Sequence, residues 1–406
     1  MKKVIIIGGG AAGHFTAINA KEQNPDLDIT ILEKGKEVLQ KVKISGGGRC
    51  NVTHACFEPK ELVKFYPRGE KELLGPFHQF MTGDTFEWFD DRGVPLKIED
   101  DNRVFPEENT SQAIIDCFQS SIDTLGIKVL KNHGVNSVEK QTEQEGGKWL
   151  INTKEQQFEA DYLVIAAGSS KKVWDLCKTL EHTVIEPVPS LFTFNIKDKR
   201  IIDLGGISVP NADVKLVGTN LENSGPLLIT HWGLSGPAIL KLSAFGARIL
   251  ADKNYQYNVL VNWLGQDFDD TLDELTALKK SEARKQIHLK SPFADIPRRL
   301  WERFVAAAEI KTTQNWGDLS NKQLHNLATQ LTKGLFNANG RTTFKDEFVT
   351  AGGVDLKEIN FKRFESKLHK NLFLVGEVLN IDAVTGGFNF QNAWTGAFIC
   401  AKSISE

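Results

Sequence analysis

"KKVIIIGGGAAGHFTAINAKEQNPDLDITILEK", residues 2–34, divides into strand, tight turn, helix, turn and second strand. Residues 4–7 are continuously apolar and β-branched, the pattern of a strand buried on both faces. Gly8, Gly10 and Gly13 then fit G-x-G-x-x-G where the strand passes into a helix that stops near Asn24 and Pro25. The second strand ends on Glu33, 20 residues past Gly13. The three glycines differ in purpose. Gly8 makes the turn, Gly10 admits a pyrophosphate to the backbone, and Gly13 lets helix and strand pack closely. The helix N-terminus offers free N–H groups and a partial positive charge to phosphate. Glu33 can accept from an adenosine ribose and repel a 2′-phosphate. This unit predicts a bound dinucleotide but does not separate NAD from FAD.

A second glycine run, "KISGGGRCNVTHAC" at 43–56, leaves two readings: a redox-active cysteine pair, or a flat cofactor lying on the loop. Cys50 and Cys56 are six residues apart. On a helix they would point to different faces, straining the Cα separation of about 7 Å that a disulfide allows. No second G-x-G-x-x-G follows residue 13 to hold NADPH. Two further stretches favour the flat cofactor. "ADYLVIAAGSS" (160–170) is an apolar strand running into Gly168. "KNLFLVGEVLNIDAVTGGFNFQNAWTGAFICAKSI" (370–404) is a strand ending on Gly376-Glu377, then a glycine loop and an apolar-patterned helix. A helix starting beside Gly387 and Phe388 would aim its N–H groups at an isoalloxazine N1–C2=O edge, which becomes anionic on reduction.

The bulk numbers bound the alternatives. The 406 residues are 41% hydrophobic and 25% charged, with a formal net charge of −3, ordinary for a soluble chain of two or three domains. That charge gives no basic excess for nucleic acid or an anionic membrane, and Arg298, Arg299 and Arg303 read as a solvated helix face. Five cysteines form no CxxC and no even framework, which predicts a reducing, cytoplasmic setting. No apolar run approaches about 20 residues, and the glycines interrupt any signal-peptide reading of the start. No metal-ligand cluster is expected.

Between about 189 and 351 the texture changes, as an insertion's should. "SLFTFNIKDKRIIDLGGISVPNADVKLVG" (190–218) alternates apolar and polar, a β pattern, and "TTFKDEFVTAGGV" (342–354) returns to it. From 267 to about 335, "TLDELTALKKSEARKQI" and "PRRLWERFVAAAEI" are amphipathic helices. In "LLITHWGLSGPAILKLSAFGA" (227–247), Ser235 is expected to cap a helix with Pro237 in its first turn. His231 is then a candidate proton donor, with Trp232 as an apolar wall. Cys50 is the other candidate catalytic residue, if Arg49 stabilises its thiolate; otherwise it packs against the cofactor.

"GGGAAG", "KISGGGRCN", "THWGLSGPA", "VTAGGV" and "GEVLNIDAVTGGFNFQ" together resemble the BaiN/YhiN-like family of FAD-dependent flavoproteins over essentially the whole chain. The resemblance implies an α/β fold. A Rossmann-type FAD-binding domain (1–188 and 352–406) would be split by a β-barrel-like insert (189–266 and 336–351) carrying a helical subdomain (267–335). It also implies non-covalent FAD held by Gly8, Gly10, Ala11, Gly13, Glu33, Lys34, Lys41, Ser45, Gly46, Gly47, Arg49, Cys50 and Asn51. Gly168, Gly376, Glu377, Gly387, Phe388 and Asn389 complete the set. Ala11-Ala12 stands where such proteins often carry Pro-Ser, and Phe388 where Tyr is frequent. The implied function is hydride transfer between flavin and a small or hydrophobic organic substrate, by enone reduction or amine oxidation, with NAD(P)H docking transiently. Its rivals are a flavin-dependent RNA-modifying enzyme and a flavin-holding scaffold without turnover.

Overall fold

A computed structural model describes residues 1–142, 147–342 and 349–406. The chain forms two compact units, Met1–Val188 with Val349–Glu406, and Pro189–Phe348. Residues 343–348, part of the stretch read as β-textured, lie outside the described residues.

The first unit is built on a seven-stranded sheet. Its spatial order is Ile359–Asn360, Glu365–Ser366, Leu372–Leu374, Tyr162–Ile165, Lys3–Ile7, Asp28–Leu32 and Lys128–Leu130. The last five run parallel, and Ile7 stands level with both Leu32 and Ile165, as Ile165 does with Leu374. That register matters for function. The residues that follow these strands, Gly8, Glu33, Ala166 and Val375, emerge at one edge, the carboxyl edge where open α/β sheets bind ligands. Against the sheet pack helices Ala11–Gln23 and Phe388–Ser405, side by side, with Phe15 and Trp394 rings 5.1 Å apart. Both are buried on nearly every face, which explains why their apolar residues show so little one-sided periodicity.

In the second unit six strands, among the described residues, close into an antiparallel barrel: Thr193–Ile196, Gly233–Ser235, Glu222–Ile229, Ser208–Leu216, Gln256–Asn262 and Gly334–Thr342. Helices Phe268–Ser281, Arg298–Ala307 and Asn321–Thr332 share its core, where Trp263, Leu275, Trp301 and Phe304 join Phe194, Val259 and Phe336 in one apolar cluster. Ser235 is not a helix cap. It is a buried strand residue whose hydroxyl accepts from Thr193 Oγ1 at 2.9 Å, and Gly236 takes the capping position ahead of Pro237–Phe245. A side chain at 236 would stand 2.8 Å from Pro226 O.

Candidate functional site

At the sheet's carboxyl edge the glycines fall into two groups, which differ in what a side chain would meet. A Cβ at Gly13 would stand 2.0 Å from Gly8 O, and one at Gly8 2.6 Å from Ala166 O, so these two are required by the protein's own packing. Gly10 is different: among the described residues nothing lies within 4 Å of its Cβ position, and its φ of −92° suits any residue. The same split recurs in the second run. Gly46 is hemmed in by Asn51 N and the Phe105 ring, each 2.9 Å from a Cβ. Gly47 and Gly48 face open space, with φ of +70° and +84°. Helix Gln40–Gly48 departs from helical geometry at Ser45, whose hydroxyl donates to Val42 O at 2.9 Å. The left-handed glycines that follow present bare backbone.

Glu33 sits between the two runs. Its carboxylate accepts from Gly9 N at 2.9 Å and Gly35 N at 2.7 Å, which fixes it at the strand end with lone pairs to spare. Lys34 is exposed beside it. Lys41 pairs with Glu377 and reaches Ser169 Oγ at 3.4 Å, and a Cβ on Gly168 would lie 3.5 Å from the Glu377 carboxylate. Residues 41, 168, 376 and 377 thus meet although more than 330 residues separate the first from the last. Gly376 packs its Cα side on Ala12 of the first helix.

The glycine loop is stitched to the terminal helix by polar contacts. In the amide orientation that satisfies its neighbours, Asn51 accepts from Gly387 N at 3.0 Å and donates to Thr53 O at 2.9 Å. Thr53 Oγ1 donates to Gln391 Oε1 at 2.6 Å, Trp394 Nε1 donates to Val52 O at 2.9 Å, and His54 Nδ1 lies 3.2 Å from Gly386 O. A Cβ at Gly387 would stand 2.3 Å from Thr53 O, so the glycine there serves this seam. Asn389 holds the approach loop, accepting from Ala383 N at 3.0 Å. Phe388 is buried and stacks on Phe65 at 4.3 Å. Asn51, Phe388 and Asn389 therefore have framework partners of their own.

Helices Ala11–Gln23 and Phe388–Ser405 both begin at glycines, Gly10 and Gly387, with no side-chain cap among the described residues. Two helix N-termini with free N–H groups suit anionic groups. Behind the first, His14 is buried, its pKa lowered by burial to about 4. His14 Nδ1 lies 3.0 Å from Gly10 O, and since that carbonyl can only accept, the proton sits on Nδ1. Glycine-bared backbone, an acidic strand end and two uncapped helices fit a dinucleotide carrying a flavin.

The geometry does not favour the cysteine reading. Cys50 is fully buried, burial pushes its thiol up to about 12, and Arg49 is turned to Glu99 at 2.6 Å and to the Phe105 face at 3.9 Å. The thiolate that nucleophilic work requires is disfavoured there. Neither Cys50 nor Cys56 is on a helix, and both are free thiols. His231 belongs to the second unit, where it is exposed beside Gly205. Other contributors were not among the candidate site residues. Arg68 pairs with the buried Asp382 and anchors the loop before Gly386, and Thr53 and Gln391 close the seam beside it. Asp382 and Gln391 both lie within the motif "GEVLNIDAVTGGFNFQ", the one signal that could have drawn attention to them.

Among the described residues no helix is long and apolar enough to cross a membrane, and no cluster could hold a metal ion. A family model described as "HI0933-like protein Rossmann domain" matches residues 2–403. The chain is 29% identical to a ribosomal RNA dihydrouridine synthase of Haemophilus influenzae, over 99% of this chain and 98% of that one. It is 25% identical to a 3-dehydro-bile acid delta(4,6)-reductase of Clostridium scindens, over all of both. Its fold is like that of a 3-ketosteroid-Δ4-(5α)-dehydrogenase from Rhodococcus jostii, with a TM-score of 0.51, 12% identity, and coverage of 100% of this chain and 97% of that one.

Proposed function

Because the chain belongs to the family of HI0933-like Rossmann-domain proteins, we propose that it is an FAD-dependent reductase of a carbon–carbon double bond conjugated with a carbonyl. The observation that carries the cofactor is the open space over Gly10, Gly47 and Gly48, which no packing among the described residues fills. The two relatives' names support the bond type. Dihydrouridine is uridine with its ring C=C saturated, beside a carbonyl, and a 3-oxo-Δ4,6 bile acid carries the same conjugated unit. The uracil ring of ribosomal RNA is the first candidate substrate, on the higher identity. A steroid-like enone is the second, supported by the full-length reductase relative.

Bound FAD would supply the two-electron chemistry, with a transiently docked NAD(P)H as donor. The chain's residues do the rest. Backbone N–H groups at Gly10 and Ala11 meet the pyrophosphate, and Glu33 takes the adenosine ribose. The helix that starts after Gly387 holds negative charge at the flavin's N1 edge. Lys41, Glu377 and Ser169 form a polar wall that orients sugar-like hydroxyls. His231 is a candidate proton donor to substrate and Cys50 a packing contact.

Purified protein should release FAD on heating. Under anaerobic conditions NAD(P)H should bleach it, and an unmodified ribosomal RNA transcript should restore the colour, yielding a nucleoside about 2 Da heavier than uridine by mass spectrometry, the mass of the two hydrogens added. A 3-oxo-Δ4,6 steroid is assayed in parallel. If neither substrate reoxidises the protein faster than it does free reduced flavin, the reading is wrong.

A further inference from the structure

The barrel unit exposes an aromatic and an aliphatic side chain on segments that also carry exposed cations. Trp232 is 56% exposed and Ile202 52%. The strands fix their surroundings: Asn195 pairs with Gly233, and Ile196 N donates to Trp232 O at 2.9 Å, which sets Lys197 alongside His231 and Trp232. From Lys197 the chain turns through 198–204, with Ile202 N donating to Asp198 O, and returns so that Gly205 faces the His231 ring, 3.2 Å from a Cβ there. Arg299 joins from the helix beyond, donating to Asp203 O at 2.8 Å. One continuous surface therefore holds Lys197, Lys199, Ile202, His231, Trp232 and Arg299.

Charge separates this surface from an ordinary apolar patch. Arg200 is consumed internally, by Asp198 at 2.7 Å and by the Phe336 face at 3.8 Å. Among the described residues Lys197, Lys199 and Arg299 have no carboxylate partner, while Asp198 pairs with Arg200 and Arg299 reaches the backbone carbonyl of Asp203. Exposed cations around an exposed indole match single-stranded nucleic acid: phosphates for the cations, a base face for the ring. The net charge of −3 describes the whole molecule and does not bear on this local excess.

We propose that this face docks a single-stranded or looped segment of the substrate RNA, with a base stacked on Trp232 and phosphates on Lys197, Lys199 and Arg299. The proposal rests on the RNA-uridine reading above. Its test is fluorescence anisotropy of a labelled, uridine-containing single-stranded RNA against the FAD-loaded protein across a salt series. Trp232→Ala should weaken binding by about 5- to 150-fold, the span of one lost base stack. Lys197→Ala with Lys199→Ala should lower the log K against log salt slope by about 1.4, at about 0.7 per phosphate contact on a single strand. Wild-type indole fluorescence should fall on RNA addition, flavin content should be unchanged in every variant, and NAD(P)H bleaching should be unchanged in the Lys197→Ala/Lys199→Ala variant. If the wild type makes dihydrouridine but the variants keep its affinity and salt slope, the docking surface is refuted while the reductase reading stands. If Trp232 responds only to a steroid enone, or the protein floats with phosphatidylglycerol vesicles and ignores RNA, the proposal is overturned. The mass-spectrometric uridine assay separately reports whether the RNA reading falls with it.

Discussion

Gly10→Ala separates cofactor contact from folding more cleanly than any other substitution in this chain. Gly10 has φ −92° and ψ −166°, an extended conformation open to any residue, and a methyl group there meets no atom within 4 Å among the described residues. The folded apoprotein should tolerate it. Replacing glycine at a compatible position narrows the unfolded ensemble and should add ~0.4–1 kcal/mol of stability. The cofactor should not tolerate it, because the methyl occupies the side from which a pyrophosphate reaches the N–H groups of the first helix turn. Losing one charge-assisted hydrogen bond costs about 1.5–3 kcal/mol, so the FAD dissociation constant should rise roughly 10- to 150-fold. Urea unfolding of flavin-stripped protein reads the first quantity, and quenching of FAD fluorescence on titration reads the second. A variant that binds FAD like the wild type would refute a phosphate at this backbone. One whose apoprotein unfolds several kcal/mol more easily would refute the open-space geometry.

Gly13→Ala should do the opposite: with its Cβ 2.0 Å from Gly8 O, it should destabilise the apoprotein by at least ~1–3 kcal/mol in the same urea assay. Arg68→Ala leaves the buried Asp382 carboxylate without its guanidinium and should cost ~3–5 kcal/mol, with Arg68→Ala/Asp382→Ala recovering part of the loss. Cys50→Ala should leave NAD(P)H bleaching within a few-fold of wild type, and iodoacetamide at about pH 8 should label the half-exposed Cys56 before Cys50. His14, held near pKa 4 when folded against 6.5 when unfolded, is neutral in the native state, so its contribution is fully present above pH 6.5 and lost as pH falls to about 4. That window should remove roughly 3 kcal/mol, and His14→Phe should flatten the change between urea curves at about pH 7.5 and about pH 4.5.

The first βαβ unit was legible because its signals are local. A buried strand, three glycines and an acid at fixed spacing each report on neighbours a few residues away. The β texture of the insert was legible by the same token, since alternation is a local property of half-buried strands, whereas its closure into a barrel came only from the family resemblance. What stayed hidden is the partner of each polar group. Asn51 satisfies Gly387 N, Thr53 satisfies Gln391, and Lys41 finds Glu377, each across more than 330 residues, and no periodicity encodes such pairs. The same distance explains the misreadings. Ser235 has the composition of a helix cap, but strand pairing places it beside Thr193 and leaves Gly236 to cap. Arg49 is adjacent to Cys50 in sequence, yet Glu99 and Phe105 claim its guanidinium.

Glycine itself carried less information in the sequence than it does in the fold. Gly8, Gly13, Gly46 and Gly387 are compelled by backbone or side chains of the protein, and the same residues would be needed whether or not any cofactor bound. Among the described residues Gly10, Gly47 and Gly48 meet no such neighbour, and they occur in both glycine runs. A left-handed backbone costs roughly 1–2 kcal/mol for an ordinary residue, which accounts for glycine at 47 and 48 but not at 10, where the backbone is unstrained. Among the described residues, Gly10 is therefore the position at which neither packing nor backbone strain calls for glycine, which fits a contact from outside the polypeptide.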